Sequence, residues 1–175
     1  SWYFDAALYA SSHNLMLGTS PTEFSPNITM TRGMLVTVLY RMNGSPSVSG
    51  KTPFTDVRTD EWYSAAVLWA YQNGIVTGMS DTTFAPINNV TREQMATILF
   101  RYTKTAAPDK AKASADLSGF ADAGSVNDWA VDAMRWAVGQ KLIAGITLEQ
   151  SVYLQPRGNA TRAQAATVLT RYYAQ

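Results

Sequence analysis

Apolar residues recur at one spacing in three stretches of the chain: Leu35, Val38, Leu39 and Met42; Met95, Ile98, Leu99 and Tyr102; and Ala165, Val168, Leu169 and Tyr172. The i, i+3, i+4, i+7 pattern is one face of an α-helix. Each stretch opens on threonine-arginine, at Thr31-Arg32, Thr91-Arg92 and Thr161-Arg162. Gln94 and Gln164 follow their threonines by three residues, the spacing of a capping box in which the hydroxyl accepts an orphan backbone N–H of the first turn. In the first stretch Met34 stands where the glutamine would be, and Gly33 weakens the helix start.

A second helix is predicted upstream of each of these. In the middle of the chain its inner stripe reads Trp62, Ala66, Trp69, Ala70 and Asn73, matched by Trp2, Ala6, Tyr9, Ala10 and His13 and by Trp129, Ala133, Trp136, Ala137 and Gln140. Gly74 sits where a helix end needs left-handed backbone, and Asn14 is an acceptable substitute. Lys141 occupies the third position, so a differently built cap is expected there. A glycine-punctuated turn follows (Gly18, Gly78, Gly145), then a short extended piece such as Thr83-Phe84-Ala85-Pro86.

These correspondences define internal copies. Thr31-Arg32 maps onto Thr91-Arg92 at a shift of 60 residues and onward to Thr161-Arg162 at 70, whereas Trp62 maps onto Trp129 at 67. Three residues are therefore inserted in the third copy, around Leu148 to Val152. The copies span residues 1–44, 54–103 and 120–175; the connecting stretches 45–53 and 104–119, rich in Gly, Ser, Pro, Ala and Lys, read as solvated linkers. Copies two and three carry a prefix, Phe54-Thr55-Asp56-Val57 and Phe120-Ala121-Asp122-Ala123. The first has none before Ser1-Trp2-Tyr3, which reads as a piece cut from a longer chain. A two-helix unit of about 50 residues buries too little surface to stand alone. The copies are expected to share one core, with the three threonine-arginine helices packed about a pseudo-threefold axis in an all-α fold.

Composition narrows the function. A net charge of +1 supplies no basic stripe for nucleic acid. No run of about 18 apolar residues is present to cross a membrane. Zero cysteines excludes disulfides, thiolate metal sites and cysteine nucleophiles. Five tryptophans and nine tyrosines suit a surface that stacks on flat ligands such as sugar rings.

The arginines carry the candidate chemistry. With threonine as N-cap, Arg32, Arg92 and Arg162 occupy the first helical position, where a cation faces the positive end of the helix dipole at a cost of a few tenths to about 1 kcal/mol. Any one of them could fold onto a local carboxylate or carbonyl. Three equivalents point instead to an external anion, received by backbone N–H groups and a forked guanidinium.

Phe-x-Asp-Val, then Trp, a helix, Gly-Ile-x-x-Gly, Phe-x-Pro and Thr-Arg-x-Gln resembles the S-layer homology (SLH) repeat. Copy two shows the series most fully, from Phe54-Thr55-Asp56-Val57 through Trp62-Tyr63, Gly74-Ile75-Val76-Thr77-Gly78 and Phe84-Ala85-Pro86 to Thr91-Arg92-Glu93-Gln94. The resemblance implies a three-pronged, pseudo-trimeric helical spindle around a central three-helix bundle, part of a larger secreted or surface protein held noncovalently on the bacterial cell wall. It implies as ligand a secondary cell-wall polysaccharide linked to peptidoglycan, acidic through pyruvate ketals on N-acetylmannosamine, bound in grooves between copies. The implied site residues are Arg32, Arg92 and Arg162; Trp2, Trp62 and Trp129; Gly18, Gly78 and Gly145; and Asp56 and Asp122. A module that assembles a surface lattice by protein–protein contact is the alternative.

Plainer roles remain open at each position. Trp62 and Trp129 serve equally as core anchors or ligand platforms, while Trp69 and Trp136 belong to the core. Asp56 and Asp122 accept sugar hydroxyls or cap the turn into the next helix. The glycines allow positive φ first and close approach to a ligand second. His13 has no metal-ligand companion. There is no Gly-x-Ser-x-Gly, phosphate-cradling loop, His-Glu-x-x-His or facing carboxylate pair, so neither catalysis nor a cofactor is expected.

Overall fold

A computed structural model describes residues 2–174. Six α-helices carry the fold: α1 (Phe4–Ser12), α2 (Arg32–Met42), α3 (Ser64–Gln72), α4 (Arg92–Ala106), α5 (Val131–Gly139) and α6 (Arg162–Tyr173). The three-residue insertion in copy three closes as a hairpin of β1 (Ile146–Leu148) and β2 (Ser151–Tyr153), an element the helical reading lacks.

The threonine caps form as the spacing predicts. Thr31, Thr91 and Thr161 each accept from the amide three residues on, and Gln94 and Gln164 complete reciprocal capping boxes. Met34 leaves the first cap one-sided. The upstream helices also end alike, and here the expectation for copy three is corrected. Lys141 takes the left-handed conformation (φ 58°) just as Gly74 (67°) and Asn14 (54°) do. The amides of Leu142 and Ile143 both reach the Ala137 carbonyl, repeating Ile75 and Val76 on Ala70 and Leu15 and Met16 on Ala10. The amide pairing and the burial of Leu142 and Ile143 outweigh the steric cost of a left-handed lysine, on the order of 1 kcal/mol.

Helices pair across copies. α2 packs on α3, α4 on α5 and α6 on α1, so each threonine-arginine helix takes as its main partner the upstream helix of the next copy, cyclically. The direct link between copies is made by the residues just before those helices. Val90 N–H donates to the Met30 carbonyl, Met30 N–H to Ala160, and Ala160 N–H to Val90, at 2.8–2.9 Å, closing a ring of three backbone bonds. All three residues are fully buried. At the far ends of the helices Thr103 donates to the Tyr172 hydroxyl, and the Tyr102 and Tyr172 rings stand 6.1 Å apart.

The connecting stretches are largely exposed and are tied to the helices by hydrogen bonds. Tyr40 donates to the Pro46 carbonyl and Gln72 to Ser49. In the second stretch, Pro108–Lys112 forms a 3₁₀ turn whose Lys110 carbonyl accepts from both Trp136 Nε1 and Gln140 Nε2. Trp69 and Trp136 lie in the core, as their stripe positions indicate.

Candidate functional site

The three arginines are clamps between copies before they are anything else. Arg32 Nε donates 2.9 Å to the Phe84 carbonyl of copy two, Arg92 Nε 2.7 Å to Leu154 of copy three, and Arg162 Nε 2.9 Å to Phe24 of copy one. The guanidiniums of Arg32 and Arg162 also lie over the rings of Phe84 and Phe24, at 4.7 and 4.8 Å. The side chains are only 5–6% exposed. Burial lowers the pKa of all three, opposed at Arg32 by the charge of Asp56 and at Arg92 by that of Asp122.

The helix-start amides are spoken for as well, which corrects the expectation of an open anion receptor there. Arg32 N–H donates to Asn88 and Gly33 N–H to Pro86; Arg92 and Glu93 donate to Gly158 and Pro156; Arg162 and Ala163 donate to Ile28 and Pro26. The orphan donors of the first turn are thus satisfied by a neighbouring copy's loop. Those carbonyls, at the positive end of the helix dipole, explain why a cation is tolerated at the first helical position.

The loops that receive the arginines contain a left-handed residue in every copy: Ser25 (φ 52°), Ala85 (59°) and Gln155 (48°). Asp56 holds the second of them, its two oxygens accepting Phe84 N–H at 2.9 Å and Ala85 N–H at 2.7 Å. Asp122 does the same for Leu154 and Gln155, at 2.7 and 2.8 Å. Neither aspartate caps the helix that follows it. In copy one no carboxylate meets the Phe24 and Ser25 amides among the described residues; a bond between Thr19 Oγ1 and Ser25 Oγ ties that loop.

Beside each clamp lies a groove built from all three copies. Groove one, about 330 Å³, joins Arg32 of copy one, Gly78, Gln94 and Arg101 of copy two, and Trp129 of copy three. Groove two, about 420 Å³, joins Arg92, then Gly145, Gln164 and Arg171, and Trp2. Groove three, about 160 Å³, joins Arg162, then Gly18, Met34 and Arg41, and Trp62. The tryptophans project outward, at 69% (Trp2), 58% (Trp62) and 54% (Trp129) exposed, so none serves as a core anchor. They precede the regular helices, and their stripe begins in earnest at Ala66 and its counterparts.

Positive φ occurs only at Gly145 among the three groove glycines, at 81°. At Gly18 and Gly78 the requirement is close approach of the chain to itself. A Cβ there would stand 2.4 Å from the Ser20 carbonyl oxygen and 2.0 Å from that of Ser80, respectively.

Arg41, Arg101 and Arg171 escaped the sequence reading. Each lies ten residues after its capping threonine, so the same repeat shift displays them. They are half-buried or exposed; Arg101 donates to Thr77 Oγ1 and Arg171 to the Leu142 carbonyl. Among the described residues no cluster of His, Asp or Glu could hold a metal ion, and no helix is long and apolar enough to cross a membrane.

Residues 53–96 and 119–166 match the S-layer homology domain, and the chain belongs to that family. The matched segments fall on copies two and three. Over 170 residues the chain is 33% identical to an endoglucanase of Bacillus sp. (strain KSM-635), covering 97% of this chain and 17% of that protein. It is 32% identical over 154 residues to the surface-layer 125 kDa protein of Lysinibacillus sphaericus, covering 88% and 12%. A surface layer protein of Brevibacillus choshinensis is 31% identical over 91 residues, covering 50% of this chain and 8% of that one. The shared region is a small part of each relative. Family and relatives together identify a cell-wall anchoring module acting outside the cell, at the bacterial surface.

Proposed function

We propose that the chain anchors a larger protein by binding an acidic secondary cell-wall polysaccharide in the grooves between copies, with copy one acting as a third repeat in a three-pronged arrangement. The observation that carries this reading is the recurrence of one composition three times: a clamped arginine, a second more exposed arginine, a glycine turn and an outward tryptophan, drawn from three different copies. A carboxylate, such as a pyruvate ketal, fits the paired arginine edges, because charge-assisted bonds to a guanidinium are stronger than neutral ones. An exposed indole beside it offers a face to a sugar ring at low entropic cost. In this scheme Asp56 and Asp122 hold the loop under the clamp, since both oxygens of each already have backbone partners. Gly18, Gly78 and Gly145 keep the groove floor thin.

The test is co-sedimentation with purified cell walls. The triple variant Trp2→Ala, Trp62→Ala, Trp129→Ala is expected to fold and remain in the supernatant, while the parent chain sediments. Unchanged sedimentation refutes the groove assignment. Self-association of the parent chain without polysaccharide, together with unchanged sedimentation, favours the lattice-assembly alternative.

A further inference from the structure

Glu93 is a buried carboxylate with no counterpart in the other copies. It is 2% exposed and lies in the first turn of α4, where copy one has Gly33 and copy three Ala163. No lysine or arginine pairs with it in an ion pair among the described residues. Its oxygens reach into copy three: Oε2 accepts the Asn127 backbone N–H at 3.0 Å and Oε1 accepts the Asn127 side-chain amide at 2.5 Å. Arg157 Nη2 donates to the remaining Asn127 oxygen at 3.3 Å. Asn127 is the N-cap of the 3₁₀ turn Asp128–Ala130, and its carbonyl accepts from Ala130 N–H at 2.8 Å. The residue carried on that turn is Trp129, which lines groove one.

We infer that Glu93 is a positioning residue for groove one, holding Trp129 through Asn127 in the orientation a sugar ring meets. Removing a carboxylate from water is costly unless it is fully hydrogen-bonded, so these two bonds are where its stabilisation resides. The Trp62 turn has no such tie. Its counterpart of Asn127, Asp60, spends its charge on exposed Arg58 within the same copy, and Gly33 lacks the side chain to reach across. Rigidifying a binding group before the ligand arrives reduces the ordering cost of binding. Ala163, the counterpart in copy three, likewise has no carboxylate to offer the Trp2 turn, so among the described residues this tie belongs to groove one alone, which takes polymer ahead of grooves two and three. This rests on the groove reading above.

The experiment uses the full chain labelled with 5-fluorotryptophan, with Trp129 assigned through Trp129→Phe. In the absence of polymer, Glu93→Ala is expected to move the Trp129 fluorine resonance toward that of the free amino acid and to leave Trp2 and Trp62 unmoved. Glu93→Gln, which keeps an acceptor for the Asn127 amide, is expected to restore most of the shift. An unmoved Trp129 resonance overturns the positioning role, whether or not polymer binds. In calorimetric titrations with purified wall polymer, Glu93→Ala is expected to weaken the tightest site about five- to tenfold and to add nothing in a Trp129→Ala background. An equal loss in both backgrounds overturns the route through Trp129. A parent chain that takes up no polymer while the fluorine result stands refutes the groove reading and leaves the tie intact.

Discussion

Arg92→Ala is expected to cost about 3 kcal/mol of folding stability, from a lost bond to a charged donor and the cavity left behind. The Leu154 carbonyl, on a fully buried residue, loses its 2.7 Å partner, and the seam between copies two and three loses a buried side-chain bond. At about 2–4 °C per kcal/mol for a domain of this size, the melting temperature falls by about 6–12 °C. Thermal unfolding followed by circular dichroism reads this directly. Arg92→Lys recovers part of the loss, because an ammonium keeps the charge but not the flat donor edge. A melting temperature within 2 °C of the parent, about 0.5–1 kcal/mol on that scale, refutes the clamp. Weakened polymer binding by Arg92→Ala therefore reports on folding as much as on recognition, and the binding contribution has to be sought at other arginines.

Those are Arg41, Arg101 and Arg171. Their simultaneous replacement by alanine is expected to lower the melting temperature less than Arg92→Ala does, since only the Arg101 bond to Thr77 and the Arg171 bond to the Leu142 carbonyl are lost, and to weaken wall-polymer affinity at least tenfold. Each groove loses a charge-assisted bond of roughly 1.5–3 kcal/mol, and about 1.4 kcal/mol is one decade of affinity. The residual binding has a shallower salt dependence, since fewer charges pair with the ligand. Equilibrium binding at two salt concentrations distinguishes this from a loss of sugar stacking, which leaves the salt slope in place. Retained affinity shows that these arginines are bystanders at the groove edge.

Much of this was readable before any coordinates because three copies repeat the same physical choices. The capping threonines and the apolar faces follow from local sequence, and the structure keeps both as predicted; the outward turn of Trp2, Trp62 and Trp129 does not, since their spacing places them on the inner stripe. The destination of the arginines was not readable, because their acceptors lie 52, 62 and 138 residues away and belong to a different copy. Local reasoning found an electrostatic conflict at the helix start and supplied an external anion to resolve it; neighbouring carbonyls resolve it first. The aspartates show the same limit. A carboxylate near a helix suggests a cap, yet Asp56 and Asp122 support left-handed residues nearly thirty positions or more downstream (separations of 28–33). Lys141 shows the converse, a poor local choice imposed by its surroundings. Arg41, Arg101 and Arg171 were in plain view in the repeat, but an arginine on a polar helix face carries no local signal of function.

The most direct test of anchoring by acidic recognition is calorimetry of the intact chain against purified wall polymer, before and after its carboxylates are removed or reduced. Saturable binding to the untreated polymer that disappears on neutralisation is the predicted result. Equal affinity for both forms contradicts a site in which paired arginines receive the charge of the sugar.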